Sequence, residues 1–264
     1  MDQALLIARS GLDVHHKSIE IISNNLANAS TFGFKASRGE FEDLPYQVIK
    51  QAGSAITQNQ NASSGLVMGT GAKLSNNKRI FTDGAQIATG NALDIAITGR
   101  GFIQVQPPAG SGQPFYTRNG SFTLNDQGQL MTQSGYIVQP PITIPTGVTQ
   151  INITNDGFVN VMTATSPTEQ QVGQLQLADF INQDGLQPIG ENLYQATTGS
   201  GPAILSNPMQ NGLGTVKQAV LEGSNVNIVA EMVNLIEAQR AFEVTSKAVS
   251  AVDNMLQYLN QATN

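Results

Sequence analysis

A chain of 264 residues, 40% of them hydrophobic, can bury a sizeable core as one large domain or as two or three smaller ones. Its net charge of -6, its pI near 4.8 and the lack of any Lys/Arg cluster argue against nucleic acid as a partner, because phosphates are met by grouped cations. Cysteine is absent, which removes disulfides, thiolate metal ligands and a thiol nucleophile.

The first element is a helix in which Leu5, Leu12, Ile19 and Leu26 recur at every seventh residue, with Ala8, His15, Ile22 and Ala29 three residues behind. That is a heptad seam. A second stripe, Ile7, Val14 and Ile21, is displaced by two positions, roughly 200° around the helix at about 100° per residue. The cluster Asn24, Asn25, Asn28, Ser30, Thr31 and Gly33 competes for backbone hydrogen bonds and ends the helix near Asn28.

Phe34, Phe41 and Tyr46 punctuate the next segment, and from Lys50 to Gly65 the chain is almost wholly polar and small, the composition of a disordered or extended arm. From about Gly69 to Gly214 the pattern turns to strands: around Leu93 to Ile97, then Phe102–Val105, Phe122–Leu124, Tyr136–Val138, Ile151–Ile153 and Gly157–Met162. Asn119-Gly120, Ser134-Gly135, Asp156-Gly157 and Asp184-Gly185 mark tight turns between them. Pro140, Pro141 and Pro145 demote their neighbours to edge strand or loop.

Asn225 to Leu259 reads as one long closing helix. Ile228, Leu235, Phe242, Val249 and Leu256 repeat every seven residues, with Ala238, Thr245, Val252 and Leu259 as companions. Ser224 and Asn225 offer cap side chains before it. Matching seams at opposite termini predict that the two helices pair and that the middle is an insertion between them. One partner helix cannot cover opposite faces of the first helix, and Val229, Met232, Val233 and Ile236 widen the start of the last one. Several subunits therefore share a terminal bundle in this reading, since exposed stripes of this length mark association sites.

Chemistry is sparse. Gly69/Gly71 and Gly99/Gly101 lack the third glycine of a dinucleotide loop and open no helix. His15 and His16 are adjacent and face different directions on a helix, whereas metal pairs want a spacing of three or four. Asp126, Asp156 and Asp184 lie beside turn glycines, which accounts for them without catalysis. No catalytic, cofactor-binding or metal-ligating residue is expected. The charges that stand out are Glu231, Arg240, Glu243 and Lys247 on the last helix, with Arg240 a candidate for contacts between subunits because its rigid fork suits carboxylates and carbonyls. Asp2 and the short apolar run Ala4 to Ala8 do not make a secretory leader, and no stretch is expected to span a bilayer. The default compartment is then the cytoplasm, unless export proceeds without a cleaved signal.

These blocks carry a resemblance. Ser23-Asn24-Asn25-Leu26-Ala27-Asn28 with Thr31-Phe32-Gly33-Phe34-Lys35 is one, and Ser224-Asn225-Val226-Asn227, Glu231-Met232-Val233, Gln239-Arg240-Ala241-Phe242 and Ser246-Lys247 form another. Asp94 to Phe102 and Tyr116 to Phe122 supply two central blocks. In this order they resemble the bacterial flagellar rod and hook family across nearly the whole chain. The length, the polar arm and Gly185 with Gly190-Glu191-Asn192-Leu193-Tyr194 point within it to the distal-rod class. Pro45 stands where that pattern has leucine, and Ile103 where it has a second phenylalanine.

The resemblance implies a structural subunit, not an enzyme, that polymerises into a rigid helical tube in the periplasm. It also implies export by the flagellar type III apparatus and, as partners, other copies of itself, other rod and hook proteins and the bushing rings around the rod. The expected fold is α+β: a coiled-coil layer from 1–30 and 225–264, a linking domain from 31–90 and 215–224, and a central β domain from 91–214. Subunit contacts are expected at Leu5, Ile7, Leu12, Val14, Ile19, Ile21, Leu26, Asn28, Ile228, Leu235, Arg240, Phe242, Val249, Val252 and Leu256. The arm at 47–65, with Gln47, Lys50, Gln58, Asn61 and Gly65, is expected to stiffen the rod. A proximal-rod or hook subunit is the nearest alternative, and a periplasmic glycan-binding or glycan-cleaving β protein a remote one.

Overall fold

Helix α1 (Asp2–Ala27) and helix α2 (Ile228–Ala262) form where the heptads are unbroken by proline. The computed structural model describes residues 2–51, 55–57, 60–61, 64–107, 112–164 and 166–262. The architecture is α+β, and the chain divides into two compact units. One comprises Met1–Ala27, Ser37–Lys78 and Asn227–Asn264; the other comprises Asn28–Ala36 and Arg79–Val226. The three-part reading from the sequence differs here: 37–78 goes with the helices, whereas 215–224 goes with the large β body. Composition could not show this, because the division is made by strand pairing between distant segments.

In the first unit α1 and α2 run antiparallel. Asn25 Nδ2 donates to Glu231 Oε1 at 3.4 Å, and the position of a Cβ on Gly11 lies 3.6 Å from Thr245 Cγ2. The step between these two contacts is the same along both helices, so the helices stay in register. The true N-cap of α2 is Asn227, whose Oδ1 accepts from Ala230 N at 3.2 Å. Asn225, expected as a cap, is used elsewhere. Beside the helices lie two ribbons. β1 (Ser37–Asp43) pairs with β6 (Ala72–Arg79). The segment read as an arm carries β2 (Gln47–Lys50), β3 (Ala55–Thr57), β4 (Gln60–Asn61) and β5 (Leu66–Met68). There β2 pairs antiparallel with β5, and β3 with β4. The ribbon forms because Val48 and Ile49 find a β-prone partner in Leu66-Val67-Met68 just past the polar stretch. Asn25, 1% exposed, anchors α1 to this unit: its Nδ2 donates to Ser37 O and its Oδ1 accepts from Ser37 N, both at 2.8 Å.

The second unit contains β7 (Gln86–Ala88), β8 (Ile95–Thr98), β9 (Phe102–Gln106), β10 (Phe115–Thr117), β11 (Phe122–Leu124), β12 (Leu130–Thr132), β13 (Ile137–Gln139), β14 (Val148–Ile153), β15 (Phe158–Thr163), β16 (Ser166–Gln174), β17 (Leu177–Asp179), β18 (Gln187–Gly190), β19 (Leu193–Gln195), β20 (Ile204–Ser206), β21 (Thr215–Gln218) and β22 (Val220–Glu222). Its main sheet runs β11-β12-β13-β9-β10-β19-β18, with β17 bridging β9 and β20. A meander β14-β15-β16 and the pairs β21-β8 and β22-β7 complete it. Asp184-Gly185, expected as a turn, sits in a single 3-10 turn. The aliphatic core is Ile95, Ile97, Ile103, Val105, Val138, Val159, Val161, Leu177 and Val216 with their neighbours. A second cluster is aromatic: Phe102, Tyr116, Phe180 and Tyr194, with Tyr116 and Phe180 rings edge to face at 4.8 Å.

Candidate self-assembly surface

Of the expected contact residues, Leu5, Leu12, Ile19 and Leu26 on α1 and Leu235, Val249 and Val252 on α2 are half-buried, and Ala238 is buried between them. Ile228 and Phe242 stay exposed. The helix pair thus covers one seam but leaves Ile228 at its start and Phe242 in its middle open. Leu256 lies in α2, but its side chain is outside the described residues. The second stripe of α1, Ile7, Val14 and Ile21, is also half-buried, and at Ile21 the chain's own β1–β6 ribbon lies beside it. A Cβ placed on Gly39 of β1 would stand 3.0 Å from Ile21 Cδ1 and 3.1 Å from Leu74 Cδ1 of β6. The ribbon is the element that sequence reasoning left out when it gave the whole stripe to other subunits. Asn28 falls after the helix in the second unit, where its carbonyl accepts from Thr31 N at 3.1 Å and its Oδ1 from Thr31 Oγ1 at 3.2 Å.

The far side of α2 is different. At about 100° per residue, Val229, Ile236, Arg240, Lys247 and Tyr258 lie within roughly 20° of the direction opposite Ala238. Val229, at 72%, and Tyr258, at 73%, are the most exposed of the large apolar side chains of α2, and Met232, Val233, Ile236, Val244 and Met255 are exposed as well. Uncovered apolar surface of this extent makes the far side of α2 a candidate for association. Arg240 is exposed and makes no ion pair among the described residues, whereas Lys247 donates to Glu243 at 2.7 Å; that bond, and the charge of Lys247, pull the Glu243 carboxyl below its usual range.

The other ribbon, β2 with β5, adds a second open patch. Val48, Ile49, Leu66, Val67 and Met68 are all exposed, as is Tyr46. Gln47 Oε1 accepts a hydrogen bond from Gln3 Nε2 at 2.8 Å, and Lys50 and Gly65 are exposed. Gln58 lies outside the described residues, as does the side chain of Asn61.

Sequence reasoning missed a buried charge cluster in the second unit. Lys35 Nζ donates to Glu222 Oε1 at 2.6 Å and to Thr82 O at 2.7 Å. Arg118 donates from Nη2 to Gly99 O at 2.7 Å and from Nη1 to Glu222 Oε2 at 3.4 Å, with Asp83 at 3.7 Å. All three of Lys35, Arg118 and Glu222 are essentially inaccessible. Desolvation, then repulsion from Arg118, holds Lys35 below its ordinary 10.5 despite the attraction of Glu222. The signal was available: each is a lone charge inside an apolar or glycine-rich block of a chain only 12% charged.

Two glycines permit the convergence. Gly33, at φ +69°, lies where a Cβ would come within 2.6 Å of Asn119 N, and a Cβ on Gly120 would collide with the carbonyl of Ile95. Asn225 Oδ1 accepts from Ala36 N at 2.7 Å and its Nδ2 donates to Ile80 O at 2.7 Å. Asn192 Nδ2 donates to Phe32 O at 2.9 Å. The blocks that carry the sequence resemblance are therefore the ones that bond to each other across the chain.

Among the described residues no group of three or more His, Cys, Asp or Glu side chains could hold a metal ion, and no helix is long and apolar enough to cross a membrane. His15 is half-buried on the seam and His16 exposed on its flank, 3.8 Å from Glu20.

Three family models match: flagella basal body rod protein over residues 5–35, flagellar hook protein FlgE/F/G D1 domain over 96–161, and flagellar basal body rod FlgEFG protein C-terminal over 217–262. Flagellar basal-body rod protein FlgG of Buchnera aphidicola from Acyrthosiphon pisum is 46% identical, over 99% of this chain and all of that protein. FlgG of Caulobacter vibrioides is 45% identical over 98% of both chains. FlgF of the same organism is 35% identical over 94% of this chain and 92% of its own length.

Proposed function

Because the chain belongs to the family of flagellar basal-body rod proteins, we propose that it is the distal-rod subunit, a structural protein that polymerises into a stiff tube and transmits torque. The observation that carries this reading is the pair of terminal helices that bury one seam against each other and expose a second apolar face on α2. The choice of class within the family is supported by a comparison inside one organism, where identity to FlgG exceeds identity to FlgF, 45% against 35%. In this reading α1 and α2 form the inner, coiled-coil layer, with Leu5, Leu12, Leu26, Phe242 and Val249 along its seams and Arg240 reaching a neighbouring subunit.

The ribbon from Gln47 to Met68 then supplies stiffness by bridging copies through its exposed Val48, Ile49, Leu66 and Val67. The proposed partners are further copies of this chain, other rod and hook proteins, the bushing rings and the type III export apparatus, and the proposed location is the periplasmic rod. Electron microscopy of the concentrated purified chain, with hydrogen exchange on the dilute monomer, tests the reading. Straight tubes whose helices are protected only after assembly are expected; a chain that stays monomeric at high concentration with protected helices overturns it. Deleting 50–65 should give rods that bend or change length, and unaltered rods would remove the arm from the account.

A further inference from the structure

The register of the helix pair leaves α2 longer than α1. With Asn25 against Glu231 and Gly11 beside Thr245, Asp2 at the start of α1 falls opposite Asn254, so α2 runs on alone for about two turns. This tip, residues 254–262, contains no charged residue and exposes Met255 and Tyr258. The root of α2 is its counterpart. Ile228 and Met232 are exposed there, and the single charge of that stretch, Glu231, is turned inward onto Asn25.

Helical geometry relates the two ends. Met255 and Ile228 are about seven and a half turns apart at roughly 3.6 residues per turn, so they project in opposite directions. Two copies in the same orientation, slid along the helix axis by about 40 Å at roughly 1.5 Å per residue, set the tip of one against the root of the next. Other slides are poor, because the side of α2 that begins with Ile228 and Met232 continues as Gln239, Glu243, Ser246, Ser250 and Asp253. Seating Met255 and Tyr258 on that polar run would desolvate those groups without a bond in return.

We propose that the exposed tip of α2, at Met255 and Tyr258, packs on Ile228 and Met232 at the root of α2 in the next copy. The contact is heterologous and open, and it sets the axial step of the polymer. It rests on the rod-subunit reading and adds the register.

The absence of cysteine makes the test direct. Rods assembled from Ile228→Cys/Met255→Cys and then oxidised should give a ladder of disulfide-linked oligomers on a non-reducing gel, since a disulfide needs Cα atoms within about 7 Å. An equimolar mixture of the two single variants should stop at dimers. Rods that form yet stay unlinked, or that link instead through the competing pair Gln239→Cys/Met255→Cys, overturn the register and leave the polymer intact. Failure of the unaltered chain to polymerise at all overturns the reading beneath it. Should the cysteines block growth, the mixed single variants are oxidised in concentrated solution, where heterodimers well beyond the twofold excess over each homodimer that random pairing gives are expected, and a ratio at or below that chance value refutes the contact.

Discussion

The two units of this chain solve the problem of burial in opposite ways. The β unit closes on itself: Ile95, Phe102, Val138, Val159, Leu177, Phe180 and Val216 have no measurable exposure or nearly none, and even its charges at Lys35, Arg118 and Glu222 are enclosed and paired. The helical unit does not close. Most of its seam residues are only half-buried, and the far side of α2 leaves large apolar residues open beside Arg240 and Lys247. A region that completes its core alone can be stable as a folded body, whereas one that leaves apolar faces uncovered gains stability when neighbours cover them.

Glu222→Ala should break the comparison most severely, by removing the one carboxylate that Lys35 and Arg118 share. Two buried cations would remain facing each other, a loss on the order of 3–5 kcal/mol. Urea unfolding followed by near-ultraviolet circular dichroism should show the β unit destabilised or unfolded while the helical segments of the free chain change little.

Val14→Asp attacks the other side. It places a charge on the half-buried stripe of α1, so the β unit should melt as before while the concentration needed for assembly rises at least about tenfold, which is roughly 1.4 kcal/mol per subunit. Sedimentation across a concentration series reads it, and assembly at the wild-type threshold would return the stripe wholly to the chain's own ribbon.

A smaller effect sharpens the contrast from within. Gly11 lies inside α1, and a Cβ there would meet Thr245 Cγ2 at an ordinary 3.6 Å. Gly11→Ala should therefore stabilise the helix pair by about 0.5–1 kcal/mol, visible as slower amide exchange in α1 of the monomer with no change in the β unit.

The smallest effect is in pH. Lys35 is held below its ordinary 10.5, chiefly by desolvation, so in the window just below 10.5 the unfolded chain binds more protons than the folded unit. Unfolding free energy then gains an upward slope with pH from this group, which ends once both states have lost the proton. Subtracting the pH dependence of Lys35→Met from that of the unaltered chain, between about pH 8 and 10 and with the urea midpoint as readout, should leave that rising difference.

The sequence by itself determined the two helices, because an uninterrupted heptad pattern states both the conformation and the face to be buried. It also located six of the strands of the β unit, β8, β9, β11, β13, β14 and β15, through alternation and turn glycines. Only the tertiary structure decided three things. It assigned 37–78 to the helices, because β1 pairs with β6 and β2 with β5. It covered part of the Ile7, Val14 and Ile21 stripe with the chain's own Gly39 ribbon. It also joined Lys35, Arg118 and Glu222 into one buried cluster. In each case the deciding partner lies far away in the chain, and local propensity carries no information about which distant segment will pair with it.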